Sequence, residues 1–359
     1  MQTDGKVRFF LGSNSPGGFY SLYDRLIDPE QADAVYILKG GPGCGKSSLM
    51  RRVGLRAEEM GEQVEYIHCS GDPDSLDGIV LHRAKTAIVD GTAPHVVEPV
   101  CPGAVESYVN LGDCYNRAAL HRIRQQIMDC MSGYKDCYKR AYRCLDAAAQ
   151  IDRDMRSLLV SQSLEEKASE RARAILSREV RTSGSETGRV TQRFLGAITH
   201  RGTVICCETA HTLCKRVYAL EDSFGFSHLL LKHLLTGLTR SEYDVIACLS
   251  PMAPDRLEHL IVPALSLAFV SAPPDCPGQK RPCRKIRMDA MADPDLLRQN
   301  KNRLRFSRRI SSALTEEAVA ALAQAKAMHD DLEALYNPHV NFEQVYRIAD
   351  KLSEAILMR

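Results

Sequence analysis

The residues best suited to chemistry are Gly40-Gly41-Pro42-Gly43-Cys44-Gly45-Lys46-Ser47, which match the pattern GxxxxGK[ST] in full. Glycines tolerate positive φ and let a loop turn its backbone N–H groups onto phosphate oxygens. The lysine of such a loop reaches the β- and γ-phosphates, and its hydroxyl residue binds Mg²⁺. The flanking residues suit that chemistry. Ala34-Val35-Tyr36-Ile37-Leu38 reads as a buried strand, and Ser48-Leu49-Met50-Arg51-Arg52-Val53 opens a helix whose N-terminus faces an anion. The expectation is an ATP·Mg²⁺ site over residues 40–48, with Lys46 in the catalytic role and Ser47 on the metal. Cys44 has two readings. Loop amides and the helix N-terminus favour a reactive thiolate there, whereas a thiol packed away from the ligand is a small hydrophobe.

Ligands of open α/β sheets lie beyond the carboxyl ends of strands, so a second metal ligand is sought there. Thr86-Ala87-Ile88-Val89 ends at Asp90, read as a Mg²⁺ ligand acting through water or, failing that, as a turn acid before Gly91. Val64-Glu65-Tyr66-Ile67 leads to His68 and then Asp72, the second choice, as metal ligand or as a base positioning a nucleophile. His68 and His95 either touch phosphate or are structural. Asp74 and Asp77 have the spacing of a helix N-cap with its capping-box partner. Asn14, Ser15 and Gly17 read as a structural loop.

These residues sit inside a repeat. Phe10-Leu11-Gly12 recurs as Phe194-Leu195-Gly196, Val35–Leu38 as Val217–Leu220, and Pro73–Asp77 as Pro254–Glu258. Order and spacing hold across the copies. Strands alternating with helical patterns predict a duplicated α/β fold with a parallel-sheet, P-loop NTPase-type core. Residues 1–185 form the first domain, with a helical segment at 113–180. Residues 189–359 form the second, with its own C-terminal helical segment, and Arg181–Gly188 is the linker. In the second copy Gly45, Lys46 and Ser47 become Ser227, His228 and Leu229, and Asp222 brings negative charge to the loop. That copy is not expected to cradle a nucleotide.

A net charge near +2 commits the chain to neither nucleic acid nor membrane, and no long apolar run or leader pattern is evident. The expectation is a cytoplasmic protein, whose thirteen cysteines stay reduced as small hydrophobes. Lys280–Arg309 carries eleven Lys/Arg against three Asp. That stretch is compatible with a nucleic acid, an acidic protein partner or an arginine donated to the phosphate loop, although only Phe306 interleaves it and a solvated face is the simpler account.

The segments Arg8–Asp24, Ile37–Met50, Glu65–Val80 and Ala87–Pro99 together resemble an uncharacterised family of tandem P-loop ATPases from Gram-positive bacteria, and Pro254–Ala272 and Ala325–Tyr336 resemble its second half. The similarity covers most of the chain. It implies the fold and ATP binding and brings no substrate. Both halves of that family carry a P-loop, and this sequence departs at Ser227-His228-Leu229. Three functions stay open: an ATPase or nucleotide-dependent switch with one site, a nucleotide or small-molecule kinase with Asp72 as base, and a nucleotide-stabilised adaptor with negligible turnover.

Overall fold

The computed structural model describes residues 5–181, 187–273, 276–278 and 280–358, so most of the expected linker, residues 182–186, lies outside them. The first half contains β1 (Val7–Phe10), β2 (Gly12–Ser15), β3 (Gly18–Ser21), β4 (Ala34–Lys39), α1 (Lys46–Glu59), β5 (Val64–His68), β6 (Leu76–Leu81), β7 (Thr86–Asp90) and β8 (Glu106–Asn110). Its helical segment is α2 (Arg117–Arg122), α3 (Arg124–Ser157) and α4 (Gln162–Glu179). The second half contains β9 (Val190–Arg193), β10 (Gly196–Thr199), β11 (Gly202–Ile205), α5 (Cys207–Leu213), β12 (Arg216–Glu221), α6 (Ser227–Arg240), β13 (Val245–Ser250), β14 (Ala253–Val262), β15 (Leu267–Val270) and β16 (Arg284–Arg287). It closes with α7 (Pro294–Gln299), α8 (Lys301–Tyr336) and α9 (Phe342–Leu357).

Each half builds a six-stranded sheet, ordered β1-β5-β6-β7-β4-β8 in one and β9-β13-β14-β15-β12-β16 in the other. The order matches strand for strand, as a duplication requires. The sheets are mixed, which corrects the expectation of parallel ones. β6 runs antiparallel to β5 and β7, and β14 to β13 and β15. The chain length decides this: only seven residues separate β5 from β6 and four separate β6 from β7, whereas a parallel crossover needs a dozen or more. Asp74 therefore caps no helix. It lies in the tight β5–β6 connection, paired with Arg201, and Asp77 is a residue of β6.

The helical segments are exchanged between the halves. The buried face of α4, Leu164, Ala168, Ala172 and Ile175, packs into the second core with Leu230, Leu231 and Leu234 of α6. Reciprocally, Val345, Ala349, Leu352 and Ile356 of α9 pack into the first core with Leu49, Met50 and Val53 of α1. The Asp350 carboxylate accepts two hydrogen bonds from Arg52, at 2.7 and 3.1 Å, across that contact. The long helices α3 and α8 lie antiparallel against each other, with Arg140 near Gln324 and Arg303 on Asp154, and Ala141, Leu145, Ala318 and Leu322 at their seam. The 185/189 boundary divides the sheets but not the cores.

The cysteines are not uniformly reduced. Cys207 is bonded to Cys276, and the other eleven are free, with Cys44, Cys114, Cys214 and Cys248 buried as small hydrophobes. Beyond β15 the Lys280 N–H donates to His211 Nε2 of α5 at 3.0 Å, and Cys276 meets Cys207 at the start of the same helix. Their 69-residue separation carries no motif that would mark the pair. Among the described residues, no helix is long and apolar enough to cross a membrane.

Candidate functional site

β4 is an interior strand with parallel partners on both sides, so its Ala34, Val35, Ile37 and Leu38 are all buried. Its carboxyl end delivers the chain into residues 40–45, and α1 begins at Lys46. Gly43 and Gly45 have φ of +66° and +87°, the left-handed conformation that glycine allows at little cost. The residues expected to form a phosphate loop thus adopt a strand–glycine loop–helix turn, with Lys46, Ser47 and Ser48 in the first turn of α1.

Lys46 is not solvent-facing. Its Nζ donates to the Gly40 and Gly41 carbonyls at 2.7 and 3.0 Å and lies 3.4 Å from Asp90 Oδ2. Asp90 is the last residue of β7, directly beside β4, with Leu38 as its register partner. Its Oδ1 accepts from Thr92 N and Oγ1 at 2.8 and 2.6 Å, which orients the carboxylate. Ser47 Oγ accepts from the Leu76 N–H at 2.9 Å.

The structure therefore brings Lys46, Ser47 and Asp90 to one end of the sheet. Asp72 is held differently. Its carboxylate accepts from Asp74 N at 3.2 Å and Ser75 Oγ at 3.1 Å, and Lys326 of α8 lies 3.5 Å away. His68 places Nδ1 2.7 Å from the Pro73 carbonyl, and burial pulls its imidazole below its ordinary value. Cys44 is 1% exposed, and burial pushes its thiol up despite Lys46 nearby. The reactive-thiolate reading is thereby corrected: the sulfur points into the core beside Gly40 and Leu111. Asn14 is structural as expected, its Nδ2 donating to the Ile198 carbonyl at 2.7 Å across the two halves.

Two features escaped the sequence. The first is a buried cluster behind Asp90. Asp77 accepts from Tyr23 Oη at 2.8 Å and lies 3.2 Å from His95 Nε2. Burial alone would lower His95, and the Asp77 carboxylate outweighs it and raises the imidazole above its ordinary value. Burial alone would raise Asp77, and His95 with Tyr23 holds it below the usual carboxylate range. Donor atoms of Cys69, Asp77 and His95 lie within 4.8 Å of one another, as do those of His329, Asp330 and Glu333 on α8. The signal for Asp77 was an acid standing inside an apolar run in both copies, matched by Glu258.

The second feature is the cover. Side chains added at Gly43 would meet Asn337 at 2.5 Å and Glu333 at 3.3 Å, and one added at Gly45 would meet Val345 at 3.3 Å. The loop in the first half is thus roofed by the end of α8 and the start of α9, from the second.

The corresponding loop of the second half is plugged from within. The Asp222 carboxylate accepts from the N–H groups of Phe224, Phe226 and Ser227 at 3.1, 2.9 and 2.5 Å, so the amides that would receive an anion already hold one. The expected pairing of the two loops is corrected by one residue: α6 begins at Ser227 as α1 begins at Lys46, so His228 matches Ser47, its Nδ1 accepting from Leu257 N at 3.0 Å as Ser47 Oγ accepts from Leu76 N. The basic stretch 280–309 is not one face. Lys285 pairs with Glu221, Arg298 with Asp295 and Arg303 with Asp154, and Arg308 lies at the plugged loop rather than at residues 40–47. No protein-family model, curated protein or solved structure matches the chain.

Proposed function

We propose that the chain binds ATP·Mg²⁺ at residues 40–48 and acts as an ATPase or nucleotide-dependent switch with a single active site. The observation that carries this reading is the glycine loop between β4 and α1 with Lys46 and Asp90 side by side, 3.4 Å apart. A γ-phosphate would replace the Gly40 and Gly41 carbonyls as the acceptor for Lys46, so the ammonium changes partners without losing its hydrogen bonds. Ser47 Oγ retains a lone pair beyond the one that accepts from Leu76. Together with the Asp90 carboxylate it offers the hard oxygen donors that Mg²⁺ takes alongside water. When bound, the ion would neutralise charge that builds on the phosphates.

A kinase would need a free base. Asp72 is tied to Ser75 and faces Lys326, which favours hydrolysis over transfer. The switch reading rests on the roof: a nucleotide entering the loop must shift α8 and α9, which belong to the other half. Isothermal calorimetry and product analysis test the proposal. Lys46→Ala should abolish ATP·Mg²⁺ binding. Asp90→Asn should leave affinity within a few-fold while lowering phosphate release by about a hundredfold. Unchanged affinity in a folded Lys46→Ala protein sinks the site assignment.

A further inference from the structure

A cavity of about 260 Å³ opens on the plugged loop of the second half. Three arginines from three different elements meet there. Arg256 of β14 donates to the Gly225 carbonyl at 2.7 Å. Arg308 of α8 reaches the Ser223 carbonyl at 3.4 Å and lies 4.5 Å over the Phe224 ring. Arg156 of α3 packs on Gly225, with its Cδ and Nη1 3.3 Å from where a β-carbon would stand. Among the described residues, none of the three has a carboxylate within ion-pairing distance. Burial, with Arg156 beside it, pulls the Arg256 guanidinium below its ordinary value, and burial does the same to Arg156. Clustered guanidiniums without a counter-charge are unfavourable by themselves.

The acids around the cavity offset that charge only in part, since the arginines stay below their ordinary values. The Asp222 carboxylate keeps its charge, but its lone pairs are directed at the three loop N–H groups rather than at an arginine. Burial first and the neighbouring Asp222 second push Glu258 up to about 8, although a third of its side chain is exposed. Asp152 at the cavity and Asp255 in the adjoining cleft act on the arginines through space without forming an ion pair with them. His228 adds no charge, because burial and Arg256 pull it down to about 4. A second observation is independent of charge. Ser227, 3% exposed, lines the cavity, and its Oγ is buried without a hydrogen-bond partner.

We propose that this cavity binds a small phosphate monoester, held by Arg156, Arg256 and Arg308 with the Ser227 hydroxyl as a further donor. A phosphate presents three terminal oxygens and up to two charges, which suits three guanidiniums better than the two oxygens and single charge of a carboxylate. An adjoining cleft of about 580 Å³ shares Arg156 and Arg256 and gives room for the organic part of the ligand. ATP is the wrong ligand, since Asp222 occupies the loop amides and Ser227 begins α6 where Lys46 begins α1, so the cradle has no lysine. Duplication has thus kept an anion site and moved it from the backbone of the loop to the side chains around it.

The test uses the full chain carrying Lys46→Ala, which removes the competing cradle of the first half, so the result does not depend on whether residues 40–48 bind ATP. Calorimetry with glycerol 3-phosphate, inorganic phosphate and succinate should show one site per chain for the two phosphates and weaker binding of succinate. Adding Arg156→Gln with Arg256→Gln should weaken glycerol 3-phosphate binding at least about tenfold. Arg308→Gln, at the exposed mouth, should weaken it by a smaller factor and decides the matter should the double variant not fold. Absence of phosphate binding, tighter binding of succinate, or affinity unchanged in the folded arginine variants would each overturn the proposal.

Discussion

Phe10 and Phe194, which hold the same place in the two copies, exchange both backbone hydrogen bonds with each other, Phe10 N to Phe194 O and Phe194 N to Phe10 O, each at 2.9 Å. Equivalent residues can pair reciprocally only at a local two-fold axis, the isologous geometry of a homodimer. The two halves therefore meet as a dimer joined into one chain. Both rings are buried, and Leu11, Leu195 and Ala197 share their cluster. The exchange of α4 and α9 follows the same symmetry.

That arrangement predicts that neither half folds alone. Residues 1–185 would leave the apolar face of α4 without α6 and the face of α1 without α9. Expressed separately, each half should aggregate or lack a cooperative melt by near-UV circular dichroism. Co-expressed halves should purify as a complex. A cooperative, monomeric first half would contradict the exchange.

The second prediction concerns the buried ion pair that crosses the same interface. Arg193 Nε donates to Glu65 Oε1 at 2.6 Å, with side chains 3% and 5% exposed. Burial by itself raises Glu65, and Arg193 with His82 overcomes it and holds the carboxyl at about 2, against 4.5 ordinarily. Because the folded value is depressed, the contribution is full above about pH 4.5 and is lost as the pH falls towards 2. It amounts to roughly 3 kcal/mol. Arg193→Ala should cost about 3–5 kcal/mol, since it strands a buried carboxylate. Urea unfolding between pH 7 and 3 should show a shallower acid slope for Glu65→Gln than for the wild type. Identical slopes would show that this pair does not carry the acid sensitivity.

Asp222 should govern the second loop. With its carboxylate on three amides, ATP titration of the wild type should reach a stoichiometry near one per chain. Asp222→Ala leaves those N–H groups bare and should destabilise the fold by about 1–3 kcal/mol without creating an ATP site, since Ser227 and His228 remain where the first half has Lys46 and Ser47. A wild-type stoichiometry near two would refute the plugged-loop reading.

The cysteines make a prediction by counting. Alkylation of the unfolded, unreduced chain should modify eleven thiols, rising to thirteen after reduction. In the folded protein, the exposed Cys101 and Cys283 should label first with iodoacetamide, and Cys44 should stay protected with or without ATP. Thirteen thiols before reduction would show that Cys207 and Cys276 are unpaired in solution.

The geometry of the candidate site was largely legible in the linear sequence because it is local. A glycine loop that leads from an apolar strand into a helix needs only consecutive residues, and Gly40–Ser48 adopts that turn. The place of Asp90 at the end of β7 was legible because a strand's end is marked by the change from apolar to polar. The repeat was legible too, and its boundary falls between the two sheets. Only the tertiary structure decided what crosses that boundary. The partners of α4 and α9 are set by which apolar face meets which across a two-fold axis, and an amphipathic pattern shows that a face is buried without saying against what. The same limit hid the roof of Glu333 and Asn337 over Gly43, the Cys207–Cys276 bond and the pairing of Asp77 with His95. The antiparallel β6 was within reach of the sequence, since seven residues cannot hold a crossover. Pro73–Asp77 instead read as a helix cap, because a capping spacing and a tight turn use the same polar residues. Whether those residues cap a helix or turn a hairpin was settled by the strand that follows and the sheet that receives it.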